Sequence, residues 1–578
     1  MSESTGPHRV ITRRRHGAHA VVDQAKDLDE ALWEGALELT KDVQDGDLAH
    51  EMDGTSALAA AGATDFDYLL PGLPQDPANL LPTDAATVTP ALDALGTAMI
   101  EQGASSGNAP IAPIHTYWGQ FVDHDLTAAT DNDLPITIQG DAVTVVPPNE
   151  VIAQLRNGRN PALNLDSVYG EGPFAPASTT EVVVPYQQAD RAKLRLGTLT
   201  PLHGAAGVRI PPVDDIERDL PRVVEAVAGG PDLRTPLIGD GRNDENLVVA
   251  QLHVAFLRFH NNAVDWVRAN EPERTGVGEV FDRARQLVRW TYQWLCVHDY
   301  LATVLSPGAV DEVLASEDGL LTRPFMPLEF SVAAFRFGHS MVRGAYDWNR
   351  NFGQGDFAPE ASLELLFAFT GRGGLAPPGT PEDQLPTTLP DNWPAEYGRL
   401  VHLDPSFPKR SARPIDTHLA DPLAEMVNQV PDTTPAPPPD VAELLEHLAR
   451  RNLRRGYAMS IPTGQAVAGA LGLPVLSAQE MTDGLDPGVR TALEAGDFVD
   501  RTPLWFYVLR ESEVRSNGHA LGPVGSRIVA ETIIGQIRND PRSYLNQSAW
   551  TPADGVRLPD GSAVTSIAAF IRFAGFPA

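Results

Sequence analysis

Residues His115–Leu126 read HTYWGQFVDHDL. Gln120, Asp123, His124 and Asp125 stand there among Tyr117, Trp118, Phe121, Val122 and Leu126, an aromatic and aliphatic density that belongs in a core. Burying charged and imidazole groups is costly unless a partner meets them. The stretch therefore asks for a metal, a cofactor or opposite charges beside it. On a helix over 116–126, Gln120 and His124 are i, i+4 neighbours on one face. Asp123 and Asp125 then lie about 100° to either side of His124. One imidazole can face a pocket while the two carboxylates serve different places. Spacing alone reads equally well as a core histidine between two solvated acids, and a metal site of His115, His124 and Asp125 also fits it.

Three other clusters combine polar chemistry with apolar surroundings. Gly239–Asn246 reads GDGRNDEN and opens a long apolar helix, so Arg242 is placed to project into a cleft while staying cationic. Asp244 and Glu245 sit where a helix dipole favours carboxylates, and capping is a sufficient reason for one of them. Phe335–Val342 reads FRFGHSMV, with a glycine one residue before His339 that lets a flat ligand or a backbone approach closely. Arg450–Gly456 reads RRNLRRG. Four arginines ending a Leu-rich helix in an acidic protein serve either helix capping or a cofactor's carboxylates, and Asn452 among them can hydrogen-bond a buried group.

The rest of the 578-residue chain limits the classes of function. A net charge of −32 argues against nucleic acid and against an anionic membrane surface. No apolar run approaches the 18 residues of a membrane span. The single cysteine, Cys296, reads as an inert core residue. Arg13–Arg15 has no apolar segment after it, so a flexible basic arm is expected rather than an export signal. The expected location is cytoplasmic, or secreted by a non-classical route. Residues 1–64 read as an extension: the basic arm, then an acidic segment with a short helix around Leu32–Leu39. Strand-like pieces occur at PITIQ and AVTVV, between 131 and 233. Helices are expected at Asn246–Val267, Val280–Leu305, Phe330–Val342, Val441–Arg454, Gln465–Leu471, Leu504–Glu513 and Ser526–Arg538.

Taken in order, the four clusters resemble the animal-type haem peroxidases of the peroxidase–cyclooxygenase superfamily, in a form like their bacterial members. WGQFVDHDL is similar to the distal-histidine helix, GDGRNDEN…LH…FLRFHN to the distal-arginine segment, FRFGHS to the proximal-histidine segment and RNLRRG to the Asn/Arg segment that follows. Residues 502–536 resemble the late helices, and the likeness runs over about 65–548. It implies a mainly α fold: one large helical domain over 65–578 with long ordered loops and little strand. It implies a haem peroxidase that reduces hydrogen peroxide and oxidises small donors by single electrons, or halides, through an oxyferryl intermediate.

By that resemblance His124 is the distal acid and base, with Gln120 and Arg242 beside it. His339 is the iron ligand, and Asn452 accepts a hydrogen bond from its other nitrogen. Asp123 and Glu245 match the carboxylates that form ester links to haem b. Asn246 stands where some members have a methionine, so a sulfonium link is not expected. Arg455 and Arg336 would pair with haem propionates. Calcium is implied at Asp125, Asn160, Ala162 (through its carbonyl), Asn164 and Asp166. There Asn160 replaces the usual Thr and Asn164 the usual Asp, which weakens the site. The partners expected are small molecules, with no nucleic acid and no membrane. Two other functions share this fold: a fatty-acid dioxygenase and a non-catalytic haem or matrix protein. The dioxygenases use a tyrosine three residues before the proximal histidine, where this chain has Arg336.

Overall fold

The computed structural model describes residues 9–14, 18–23, 64–102, 107–128, 137–170 and most of the chain from 184 to 578. The expected helix at Leu32–Leu39 lies outside the described residues. Seven described helices run eleven residues or more: α1 (Ala85–Ala98), α2 (Pro113–Leu126), α3 (Leu247–Asn270), α4 (Val277–Leu295), α5 (Leu448–Ala458), α6 (Leu504–Ser516) and α7 (Pro523–Asn539). The strands are short. Arg9–Arg14 pairs antiparallel with Ala18–Asp23, so the expected basic arm is a hairpin. Thr64–Asp67 pairs with Arg156–Asn157 on one side and with Met326–Pro327 on the other. Ala345–Tyr346 pairs with Ala361–Ser362. The fold is mainly α. No helix among the described residues is long and apolar enough to cross a membrane.

The core explains why α2 is fixed so firmly. Pro113 opens it with the φ a first helical turn requires. Trp118 and Phe121 are fully buried against Phe256 of α3, Tyr292 of α4 and, for Trp118, Phe570 near the C-terminus. Phe121 and Phe256 stack with centroids 4.4 Å apart. Burying each such ring contributes about 1.5–3 kcal/mol. With its aromatic face held there, α2 turns Gln120, Asp123 and His124 the other way. Gly119 is required by close approach: a Cβ there would stand 2.4 Å from the Tyr300 hydroxyl.

Local periodicity misplaces several elements. PITIQ and AVTVV contribute no described strand: 137–147 is extended loop, with Val146 N–H donating to the Ala458 carbonyl. β-branched runs make strands only where a partner edge exists. Val280–Leu305 is interrupted: α4 passes into a π-helical segment, Cys296–Leu301, that carries Tyr300. Phe330–Val342 is not one α-helix. A π segment, Glu329–Ala333, passes into a 3₁₀ turn, Ala334–His339. Buried Glu329 anchors its start by accepting from Leu69 and Leu70 N–H. Expanded turns of this kind redirect side chains by a fraction of a turn and recur at functional sites. The expected helix at Val441–Arg454 breaks at His447 into Pro439–Glu446 and α5.

Candidate active site

One cleft gathers residues from both halves of the chain. Gln120, Asp123 and His124 line it from α2, Arg242 and Glu245 from the turn before α3, and Tyr300 from the π segment. Phe335, Arg336, Gly338 and His339 line it too, as do Met426 and Leu448. It encloses ≈ 1020 Å³ free of atoms, its open mouth included. His124 and His339, 215 positions apart by number, thus face one space.

His124 is fully buried, and its Nδ1 lies 2.8 Å from Asn243 Oδ1. An amide oxygen only accepts, so with Oδ1 toward the ring the imidazole carries its proton on Nδ1 and leaves the Nε2 lone pair. Burial, then the Arg242 charge, pushes its pKa down to about 4. The imidazole is therefore neutral at physiological pH.

Arg242 is held by Asp240, whose carboxylate accepts from Nε at 3.1 Å and from Nη2 at 2.7 Å. Nη2 also donates to the His124 carbonyl at 2.9 Å and to the Thr127 carbonyl. The guanidinium thus closes the C-terminal end of α2, where carbonyls lack helical partners. Burial works against charge on Asp240, but Arg242 and Arg159 hold its carboxyl well below the usual range. Burial likewise opposes the Arg242 charge and Asp240 overrides it, so the guanidinium stays charged. Arg159 completes the triad through its own bond to Asp240.

Asp244 and Glu245 are not helix caps. Asn246 caps α3, its Oδ1 accepting from Val248 N–H at 2.8 Å. Asp244 pairs with Arg222 and accepts from Gly371 N–H. Glu245 lines the cleft and is paired with Arg372. Asp123 also lines it, accepting from the Thr127 hydroxyl at 3.3 Å.

His339, also in the lining, ends the 3₁₀ turn. Its Nδ1 lies 2.9 Å from the Asn452 amide nitrogen, and Asn452 Oδ1 is buried without a partner. Amide oxygen and nitrogen have the same shape, so their assignment follows the hydrogen bonds. With Oδ1 toward the ring, Nδ1 carries the proton and the Nε2 lone pair has the chemistry to ligate a metal. Gly338 lines the cleft, and a Cβ added to it would meet nothing within 4 Å. The wall beside His339 is therefore shaped for something flat to lie close. Arg336 lines the cleft and donates from Nε to the Ser331 carbonyl at 2.8 Å. Arg455 is buried on α5, one turn beyond Asn452 and outside the lining. Arg450 and Arg454 pair with Asp93 of α1, a structural use of the arginine cluster.

Asp125 turns away from the cleft, as the helix arithmetic requires. Its oxygens accept from Leu165 N–H at 3.0 Å, Ser167 N–H at 3.1 Å and the Ser167 hydroxyl at 3.0 Å. Burial and the Asp166 carboxylate push its pKa up to about 6. Asn164 Oδ1 accepts from Asp166 N–H at 3.2 Å. Asn160 is half-buried and Ala162 buried in the same loop.

Residues 208–374, which include Arg242, Glu245 and His339, match the family model described as animal haem peroxidase. Over that segment the chain is similar to the animal haem peroxidases. It is 25% identical over 268 residues to a peroxidase-like protein of Margaritifera margaritifera, covering 43% of this chain and 34% of that one. It is 29% identical over 197 residues to thyroid peroxidase of Mus musculus, covering 33% and 20%. The matches thus span about a third or less of these relatives' length. Among solved structures, peroxidase A of Dictyostelium discoideum superposes with TM-score 0.55 at 17% identity, over 89% of this chain and 95% of that one. A fatty acid alpha-dioxygenase of Oryza sativa superposes with TM-score 0.50 at 14% identity, over 86% and 77%. These likenesses show the animal haem peroxidase fold, and the family implies a haem. The cleft fits one: His339 offers a metal ligand, Gly338 leaves its wall open, and carboxylates and arginines line its rim.

The sequence signals find His124, Arg242, His339 and Asn452, and the structure brings the first three into one cleft with Asn452 behind His339. They miss Asn243, Asp240, Arg159 and Arg372. Asn243 lies inside the GDGRNDEN motif, and its amide beside the arginine is the one signal that points to it.

Proposed function

We propose that this chain is a haem peroxidase that reduces hydrogen peroxide to water with electrons from small donors or halides. The observation that carries this is that two differently prepared imidazoles line one cleft. His124 is neutral, Nδ1-protonated and beside a fixed guanidinium. His339 is backed by an amide. When bound, the haem supplies an iron centre able to exchange electrons with peroxide.

The protein's own part is acid–base work and orientation. His339 would hold the metal through Nε2, and an Asn452 carbonyl on Nδ1–H would fix the ring and raise its basicity. His124 Nε2 takes the proton from one peroxide oxygen and returns it to the other as that oxygen leaves as water. Arg242 stabilises the negative charge that develops between the oxygens, in a cleft where few water dipoles compete. Gln120, one turn before His124, limits the space on that side. Each peroxide consumes two electrons and two protons and yields two waters.

Asp123 and Glu245 are the candidates for ester links to haem methyl groups. Arg336 and Arg455 are the candidates for propionate partners. The loop from Asn160 to Asp166 with Asp125 is the candidate calcium site. Buried Asp125 and half-buried Asp166 repel one another there, and a cation would relieve that. Arg159, close enough to lower both, supplies part of the positive charge already, so calcium should bind more weakly than to a site with three carboxylates. A fatty-acid dioxygenase reading is disfavoured by Arg336 at the tyrosine position.

Titration of the purified protein with haemin tests the proposal. A Soret band and peroxide-dependent oxidation of a phenolic dye are expected. His124→Ala should lower the peroxide rate constant by about two to four orders of magnitude with the Soret band intact. A protein that takes up no haemin, or a His124→Ala variant with unchanged kinetics, overturns it. Acid–acetone extraction separately decides the ester links: extractable haem removes that role from Asp123 and Glu245.

A further inference from the structure

Asn243 does more than fill the turn between Arg242 and α3. It is fully buried, and both ends of its amide are engaged by imidazoles. Oδ1 lies 2.8 Å from His124 Nδ1, and Nδ2 lies 2.9 Å from Nδ1 of His253, a fully buried residue on α3. The two rings come from positions 129 apart by number, and the amide is the bridge between them.

An amide has a sense. Its oxygen accepts and its nitrogen donates. With Oδ1 toward His124, that ring is the Nδ1–H tautomer and Nε2 is a base. Nδ2–H then donates to the His253 Nδ1 lone pair, so His253 carries its proton on Nε2. Turned over, the amide would force the reverse: His124 would hold its proton on Nε2 and could not take one from a substrate. Asn243 therefore couples the tautomers of two histidines.

The turn also grips His124 from its other side. Asp240 opens the 3₁₀ turn Gly241–Asp244 by accepting from Arg242 N–H at 2.9 Å, and its carbonyl accepts from Asn243 N–H at 3.1 Å. The Arg242 side chain, tied to that same Asp240, donates to the His124 carbonyl. One rigid turn thus holds the histidine at its backbone and at its ring. A residue needed for packing alone would not require an acceptor at one end and a donor at the other.

We propose that Asn243, anchored by His253, is a positioning residue that sets the tautomer and ring orientation of His124, so that Nε2 is the proton acceptor in the cleft. This rests on the peroxidase reading, and one of its readouts is independent of haem. In haem-free protein labelled with ¹⁵N-histidine, the His124 signal, assigned by its loss in His124→Gln, should show a protonated Nδ1 and a bare Nε2. A bare Nδ1 overturns the proposal whether or not the protein is a peroxidase.

In the haem-loaded protein, the rate constant for hydrogen peroxide and the affinity of the ferric form for cyanide both read proton acceptance by His124. Asn243→Leu removes the acceptor at nearly constant volume and should lower both by about 10- to 100-fold, a loss within the range of general-base catalysis. Asn243→Asp keeps an acceptor on His124 Nδ1 and should stay within about fivefold of the parent. That rescue separates positioning from packing. If Asn243→Asp falls as far as Asn243→Leu, or if Asn243→Leu leaves both readouts unchanged, the proposal is overturned. Failure of the parent protein to bind haemin or react with peroxide would instead count against the peroxidase reading and leave the tautomer result standing.

Discussion

The pH at which peroxide reactivity is lost tests the electrostatics of the cleft most directly. The perturbation is acidification from pH 7 to pH 3. Burial and the Arg242 charge pull His124 from an ordinary 6.5 to about 4, with Asp240 and Asp123 acting weakly the other way. Protonated His124 cannot accept a proton, so the rate should track its neutral fraction. At pH 5 that fraction is about 90% for a group titrating near 4 and about 3% for one titrating at 6.5, a difference of roughly thirtyfold. Stopped-flow measurement of the peroxide rate constant on haem-loaded protein distinguishes the two.

The acid limb is expected near pH 4, and a limb between 6 and 7 would refute the electrostatic argument. Linkage gives a second readout with the same sign. Between pH 4 and 6.5 the unfolded chain binds the extra proton, so stability rises with pH through that window. The shift of 2.5 units corresponds to about 3 kcal/mol. Arg242→Leu removes the second cause but not burial, so the limb should move upward and still stop short of 6.5.

Three further outcomes can be checked. Gly338→Val fills space that nothing occupies in the protein itself, so the haem-free variant should melt within about 2 °C of the parent. Its haemin affinity, by titration of the Soret band, should fall about tenfold or more; unchanged affinity would mean nothing lies against that wall. Asn452→Leu removes the partner of His339 Nδ1 and should lower the iron–histidine stretching frequency in resonance Raman spectra of the ferrous form, whereas Asn452→Asp should raise it. Glu511 accepts from Val524 and Gly525 N–H at the start of α7, and burial pushes its pKa up to about 7 from 4.5. Its folded form holds the proton between those values, so its contribution falls as pH rises through that window. Glu511→Gln should gain about 3 kcal/mol relative to the parent on going from pH 4 to pH 8 in urea unfolding, and a gap that does not change with pH would contradict this.

The parts of the site that can be read from sequence are those whose chemistry is local. Gln120 and His124 share a face because they are four apart, and Asp125 points elsewhere because the helix turns by about 100° per residue. The structure bears out both. Helical periodicity also finds α3, α6 and α7 to within a few residues of their ends. It fails over 330–342 because i+3, i+4 and i+5 contacts place a short apolar run on nearly the same face. An α-helix and a π-to-3₁₀ path therefore leave one pattern, and the chain takes the second on its way to His339. It fails again over 142–146, AVTVV, where the β-branched residues join no described strand.

What local reading cannot reach is pairing across the chain. Arg159 meets Asp240 from 81 positions away, and Arg372 meets Glu245 from 127. Neither pair leaves any periodicity, and without Arg159 and Asp240 the charge on Arg242 would look uncompensated. Asp244 shows the converse error. Its place before a helix suggests a cap, yet a buried arginine, Arg222, claims it, and the neutral Asn246 caps the helix instead. A carboxylate at an exposed helix start gains about 0.3–1 kcal/mol from the dipole, whereas a buried carboxylate such as Asp244 left without its cation costs about 3–5 kcal/mol. The buried acid's need for a partner is several times stronger, so Asp244 joins Asp219 on Arg222. For the same reason the cleft's charges are arranged by partners brought from afar, while its imidazoles are set by the amide beside them.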